Sequence, residues 1–385
     1  MPAIFSYELE SITRALDAGA SPILASGIGA ASRAHVAASL RRHTGSPLFV
    51  ICPDDQSADV FRRDLSSLLN EDVSLLAQRE FTFYPAEEVT RETEQRRLAV
   101  LDRLACEKSP ITVCTVAALL QRAIPPDAMR ECALELSASG TYPIEDIEKA
   151  LLRCGYVHRV QVEGAGQFSR RGGILDFFSP AYPNPVRIEF WGDDVDSMVF
   201  FDITTQRRIE NINSCRIIPA CETLPSLYEG GESALADELN QFALKVERRA
   251  AKAASATLAQ NLRRDAEKLR EAKNLSDADR YMGLIYPEFS CALDYIPLDA
   301  LVFLSEPVKT AKLSEDQQKL MNEDVRLLIE GGSLLGNYAT YRMTYTECAE
   351  RLADFPLVMG DSFTQGRTLP EPRSVVHALS RQVHR

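Results

Sequence analysis

No two of the nine cysteines stand in a C-x-x-C pair. That absence removes a zinc ribbon and a redox dithiol from consideration, and scattered thiols point instead to buried, reduced side chains in a cytosolic protein. Histidine is scarce, with five dispersed residues, so no metal cluster is legible. No apolar run approaches the roughly 18 residues that a membrane-spanning helix requires. The opening stretch MPAIFSYELE lacks a basic region followed by an apolar one, so no signal peptide is expected and the expected location is the cytoplasm. Positive charge is in deficit: 43 Lys and Arg against 55 Asp and Glu leave a net charge of −12. A free nucleic-acid binder usually carries a basic footprint, so DNA or RNA is not the favoured direct partner.

What is present is enough chain for two or three domains, 385 residues, of which 45% are hydrophobic and 25% charged. That is the balance of a globular protein with a full core. The first part alternates short apolar runs (PILAS, PLFVIC, DVSLL, ITVCTV) with helical patterns (SRAHVAASLRRH, SADVFRRDLSSLLN, RETEQRRLAVLDRLA). Strands alternating with helices predict a parallel sheet covered on both faces. AIPPDAM interrupts the pattern at Pro125 and Pro126, which predicts a domain boundary.

The next part has a different grain. One helix, PIEDIEKALLRCG, ends at Gly155, and close-set strands VHRVQV, GILDFFS, PVRIEFWG and SMVFFD follow, joined by short turns. Val186, Ile188 and Phe190 alternate with Arg187 and Glu189, the period of a strand with one buried and one wet face. This predicts a small antiparallel α+β unit. After CRIIPA, the stretch from Ser233 to Met282 contains no Gly or Pro, which predicts one long helix or a helical hairpin. A buried strand in DYIPLDALVFLSEP, the helix SEDQQKLMNEDVRLLIEGG, a further helix TECAERLADF and a strand PLVMG then resume the α/β pattern. The simplest topology is an α/β domain in two pieces, residues 1–126 and 216–385, with the α+β unit of residues 127–215 inserted between them.

The stretch SGIGAASR has the layout of a phosphate-binding loop, a turn between a strand and a helix. A working loop needs glycines for backbone approach, a lysine for phosphate charge and a hydroxyl for Mg²⁺. With Gly29 as the inner glycine, those positions are Ser26, Ala31, Ser32 and Arg33. The later strand that would end in a metal-binding aspartate ends instead in Ser305-Glu306. Two degraded elements in the right order predict a motor-like fold that has lost its chemistry. Arg33 is the one residue there that could still meet a phosphate. Asp193, Asp194 and Asp196 lack a metal-loop spacing and read as a solvated turn, Phe83 and Tyr84 as packing at a domain edge, and Gly172 and Gly173 as a bulge or close backbone approach.

The most distinctive stretch runs from Ser169 to Glu210. Arg171-Gly172-Gly173-Ile174-Leu175-Asp176 with Phe178, then Val186 to Ser197, Phe201-Asp202 and Thr205-Gln206-Arg207 resemble the N-terminal module of the bacterial transcription-repair coupling factors (the Mfd family), which is similar to the same region of the excision-repair helicase UvrB. Phe83 to Glu88, Thr115 to Arg122 and Asp294 to Pro307 resemble the family too, and the likeness loosens after about Pro307. The resemblance implies a degenerate RecA-like domain in two chain segments, with an insert that binds the damage sensor UvrA. It implies Arg171, Arg187 and Glu189 as the UvrA-facing residues, with Arg170 and Phe168 as weaker additions. It also implies that the motor and its ATP and Mg²⁺, together with the contacts to RNA polymerase and DNA, belong to domains of a longer protein. This module would then be non-catalytic, without a cofactor of its own, and its surface would be held against another domain until the motor engages. Two other readings stay open, a residual nucleotide site at SGIGAASR and a damaged-DNA-binding module of the UvrB kind.

Overall fold

The computed structural model of the chain describes residues 3–84, 91–249, 253–272 and 275–362. The first segment runs α1 (Ala3–Asp17), β1 (Ile23–Ser26), α2 (Ala30–Thr44), β2 (Leu48–Cys52), α3 (Asp55–Leu69), β3 (Ser74–Leu76), α4 (Glu92–Cys106), β4 (Ile111–Thr115), α5 (Val116–Leu120) and α6 (Pro126–Cys132). The expected strands and helices are there, preceded by α1, which the sequence reading left unassigned. Pro126 opens α6 rather than merely breaking a pattern. It sits where its missing N–H costs nothing. α3 is fixed at its start by a reciprocal cap, with the Asp54 carboxylate accepting from Ser57 N at 2.8 Å.

The chain then forms β5 (Leu134–Ser137), α7 (Ile144–Arg153), β6 (Val157–His158), β7 (Gln167–Arg171), β8 (Ile174–Phe177), β9 (Val186–Trp191), β10 (Asp194–Phe201), β11 (Arg208–Asn211) and β12 (Ser214–Ile217). VHRVQV is not the strand expected. Only Val157 and His158 pair, and they do so in parallel with β7. The longer strand beside it is β7, Gln167–Arg171, to which the sequence pattern assigns no strand.

The last segment contains α8 (Gly231–Arg249), α9 (Ala253–Ala272), α10 (Met282–Ile285), β13 (Leu301–Ser305), α11 (Pro307–Glu330), α12 (Tyr345–Leu352) and β14 (Leu357–Asp361). The Gly- and Pro-free stretch is thus two helices. Ion pairs Arg263–Glu247 and Arg270–Asp237 run in opposite chain directions, so α8 and α9 are antiparallel.

β1 to β4 join β13 and β14 in one parallel sheet, in the order β1-β14-β13-β2-β4-β3. Every residue of β2, β4, β13 and β14 is buried, as expected of parallel strands covered on both faces. A second sheet, β11-β10-β9-β8-β7-β6, is antiparallel apart from the β6–β7 pair. β5 and β12 pair antiparallel, Leu134 with Ile217 and Ser137 with Ser214, which clamps together the entrance and exit of the inserted stretch. One face of the parallel sheet packs on α1, α2 and α3 around Leu40, Val50 and Phe303. The other face belongs to a core that continues without a break through α4 and α7 into Phe177, Val186 and Ile188 of the second sheet. Eight of the nine cysteines are buried, Cys106 is exposed, and all nine are free thiols.

Candidate functional site

The stretch Ser26 to Arg33 and the pair Ser305-Glu306 meet at the carboxyl edge of the parallel sheet. Ser26 ends β1 and pairs in register with Asp361. Gly29 caps α2 in an extended conformation, φ −63° and ψ 164°. Ala31 is exposed and Ser32 half-buried in the first turn of α2. Ser305 is buried at the end of β13, and Glu306 follows with φ +50°. Arg33 turns inward, with its Nη1 donating to Oε1 of Glu306. Burial pushes the Arg33 guanidinium below its ordinary value, yet its charge is matched by a carboxylate from the other chain segment. Ser362 donates to the second oxygen of Glu306 at 3.1 Å. Beside this pair, Lys309 at the start of α11 reaches the Asp54 carboxylate at 2.7 Å. Among these residues, the sidechain cations that could face a phosphate are already bound to carboxylates of the chain itself.

The second site is the outer face of the antiparallel sheet. Pairing sets which side chains share that face, because directly opposed residues point to the same side. Leu175 opposes Ile188 and Phe177 opposes Val186, and all four are buried on the core face. Asp176 opposes Arg187 and Ser169, and Ile174 opposes Glu189 and Arg171, so Arg171, Asp176, Arg187 and Glu189 share the outer face. Arg187 Nε donates to Asp176 Oδ1 at 2.6 Å and its Nη2 to Oδ2 at 2.8 Å, a two-pronged fork. Arg171 Nη2 donates to the same Oδ2 at 2.7 Å. Gln206 Oε1 accepts from Arg187 Nη2 at 3.0 Å, and the guanidinium carbon lies 4.4 Å from the centre of the Phe201 ring, within reach of a cation–π contact. The hydrogen bond to Asp176 raises the Arg187 pKa.

Further along β9, Arg208 Nη2 donates to Glu189 Oε1 at 2.8 Å and the Ser197 hydroxyl to Oε2 at 3.0 Å. The bond from Arg208 holds the Glu189 carboxyl below its usual range. Trp191 occupies the third outer position of β9, two residues beyond Glu189, and is 83% exposed. The β7–β8 turn brings Gly172, at φ +62°, and Gly173 against β9. A Cβ on Gly173 would lie 2.9 Å from the Phe190 carbonyl oxygen, so the expected close approach is present at Gly173, whereas a Cβ on Gly172 would meet nothing within 4 Å.

The predicted residues divide between the faces. Arg171, Arg187 and Glu189 lie together on the outer one. Arg187 is only 15% exposed at its side chain, drier than a plain wet strand position, because Asp176 and Gln206 engage it. Phe168 is 1% exposed, opposes Phe177 and belongs to the core, which removes it from the candidate surface. Arg170 has the same parity as Phe168 and bonds Glu145 and Glu148 of α7 at 2.7 and 2.6 Å, so it faces away from Arg171. Asp176, Gln206 and Trp191 belong to the motif that carries the resemblance, but neither they nor Arg208 are singled out by the sequence as surface residues. Only Trp191 left a clear signal, as the next term of the alternation Arg187, Glu189. Of the other motifs, Phe83 packs edge-on against Tyr341 with ring centres 4.8 Å apart, and residues 85–88 of the stretch Phe83 to Glu88 lie outside the described residues. Among the described residues, no three His, Cys, Asp or Glu side chains converge as a metal site would require.

The UvrB interaction domain family matches residues 134–222. That span opens at the first residue of β5 and closes just beyond β12, so it takes in the whole antiparallel sheet. A transcription-repair-coupling factor of Bacillus subtilis (strain 168) is 28% identical over 392 residues, 98% of this chain and 32% of the relative. Over nearly its whole length the chain is thus similar to a transcription-repair-coupling factor, and its antiparallel sheet matches the UvrB interaction domain. A factor of the same name from Myxococcus xanthus is 33% identical over 57% of the chain and 19% of its own length. One from Escherichia coli (strain K12) is 29% identical over 58% and 19%. The chain therefore spans about a third or less of the transcription-repair-coupling factors it matches.

Proposed function

We propose that this chain is the non-catalytic docking module of a transcription-repair-coupling factor, and that the outer face of its antiparallel sheet recruits UvrA to a stalled RNA polymerase. The observation that carries the reading is the arginine fork on Asp176 beside Glu189 and the exposed Trp191, all inside the family-matched residues 134–222. Arginine presents a planar set of donors suited to a partner carboxylate, and an exposed tryptophan supplies the apolar anchor that tight interfaces favour. In the longer protein the same face would be covered by another domain until the motor engages. ATP, Mg²⁺, RNA polymerase and DNA would be handled by parts of that protein beyond these residues. The parallel sheet is then a RecA-like body retained as a scaffold. The pairing of Arg33 with Glu306 supports that reading over a residual nucleotide site, and the net charge of −12 disfavours a DNA-binding module.

Titration of UvrA against the full chain tests the proposal. Arg171→Ala and Arg187→Glu are each expected to weaken binding by about tenfold or more, the loss typical of an interface hot spot, with thermal unfolding still cooperative. Unchanged affinity in both variants would remove this surface from the interface.

A further inference from the structure

Aspartate is uncommon within strands, and a carboxylate taken out of water is costly unless it is paired and hydrogen-bonded. Asp176 is both. Its side chain is 3% exposed, at the middle of the outer face, and it takes three hydrogen bonds from two arginines. Register explains the geometry. Arg187 is directly opposite on β9, whereas Arg171 is two residues along β7 from Ser169, the residue opposite on the other side. Ser169 is small, and its hydroxyl is turned away to donate to the Val160 carbonyl at 2.8 Å. That leaves the diagonal path by which Arg171 reaches the carboxylate. Gln206 closes the cluster from the far side. Its Nε2 donates to the Ile203 carbonyl at 2.9 Å while its Oε1 accepts from Arg187, so the amide is fixed at both ends.

Two guanidinium groups on one carboxylate leave a net positive charge. Half of the Arg171 side chain remains exposed. The cluster is thus not a closed salt bridge but a held cationic fork. We infer that Asp176, backed by Gln206, is a positioning residue that presets Arg171 and Arg187 for an acidic patch on the partner. This rests on the outer face being the UvrA-docking surface. The physical gain is in preorganisation: long arginine side chains otherwise lose rotamer freedom on binding, and holding them in advance lowers that cost. Asp176 itself lies too deep to touch the partner and acts through the arginines.

The test is a cycle of UvrA titrations on the full chain, with Asp176→Asn, the double variant Arg171→Ala/Arg187→Ala, and the triple combination. Asparagine keeps the shape and removes the charge. Asp176→Asn is expected to lower affinity about tenfold in the parent, approaching the loss in the double variant, and to lower it no further in the double-variant background. A purely structural role would cost the same factor in both backgrounds, and that result would overturn the inference. So would parent-like affinity in Asp176→Asn alongside a clear loss in the double variant. Parent-like affinity in the double variant would bring down the docking surface itself, and the positioning role with it. Should Asp176→Asn fail to fold, Gln206→Asn replaces it. Asparagine tolerates the left-handed backbone at position 206, φ +60°, and is one methylene too short to reach Arg187. A several-fold loss of affinity with an unchanged melting temperature is expected. Affinity equal to the parent would overturn the clamp.

Discussion

At the scale of single residues, the fate of one arginine decides how the carboxyl edge of the parallel sheet reads. The Arg33 and Glu306 side chains are 9% and 14% exposed, and they come from chain segments 273 residues apart. Gly360 on β14 makes the room: a Cβ there would stand 3.2 Å from the Arg33 Cδ and 2.7 Å from the Phe303 ring. Removing one member of a mostly buried pair leaves the other uncompensated, so Arg33→Met is expected to cost on the order of 3 kcal/mol in urea unfolding. ATP with Mg²⁺ is expected to leave the melting temperature of the parent chain unchanged, since a ligand that binds only the folded state must raise it. A nucleotide-dependent rise that disappears in Arg33→Met would reassign Arg33 as a phosphate ligand. Both residues could be singled out from sequence, but their pairing could not, because nothing local connects positions 33 and 306. The burial of Phe168 is illegible in the sequence for a different reason. The parity of β7 places Phe168 and Arg170 on one face and Ser169 and Arg171 on the other, and that parity is usable only once the hairpin turn at Gly172 and Gly173 is known.

At the scale of elements, the central strands were legible because both their faces are buried, and α2, α3, α4 and α7 because of their helical apolar spacing. What joins the elements was not legible. Arg79, beyond β3, is 1% exposed and bonds Glu94 on α4, Glu222 after β12 and Asp279 before α10. Arg97 on α4 shares Glu222 at 3.0 Å. Charged residues in such positions read from sequence as solvated, and their partners lie up to 200 residues away. Asp279 is the acid-sensitive member. Burial alone would raise its pKa, but the Arg79 charge, the Thr223 hydroxyl at 2.6 Å and the Thr82 N–H at 2.8 Å hold it below the usual aspartate value. A carboxyl whose pKa is depressed by folding stabilises the fold above its unfolded pKa of about 3.9, and that contribution fades as the pH falls through the folded value. Asp279→Asn is therefore expected to be less stable than the parent by about 3 kcal/mol at pH 7. The gap should shrink as the pH is lowered past about 4. Urea midpoints at pH 7, 5 and 3.5 measure it, and a gap independent of pH would assign the loss to packing alone.

At the scale of the whole molecule, the order β1-β14-β13-β2 makes the fold depend on both ends of the chain. β13 and β14 are not appended to a finished sheet. They lie between β1 and β2, with Ile23 paired to Val358 on one side and Leu301 paired to Leu48 on the other. The inserted sheet sits on the same continuous core, and its entrance and exit are clamped by β5 and β12. Its outer face is thereby held in a fixed relation to the parallel sheet rather than carried on a loose tether. A chain ended at Asp299 keeps every residue of the outer-face cluster, but it loses the two strands that connect β1 to β2. The remaining gap is about three strand spacings, roughly 15 Å, too wide for backbone hydrogen bonds, and the buried faces of β2 lose their cover. The shortened chain is expected to lose the cooperative thermal transition of the full chain and to bind UvrA weakly, although no outer-face residue has been touched. Circular dichroism melts and UvrA titration on the same preparation measure both. A cooperative melt at the parent temperature would mean that the first segment closes its own sheet. Parent-like UvrA affinity without a cooperative melt would mean that the inserted sheet presents its arginines without the body beneath it.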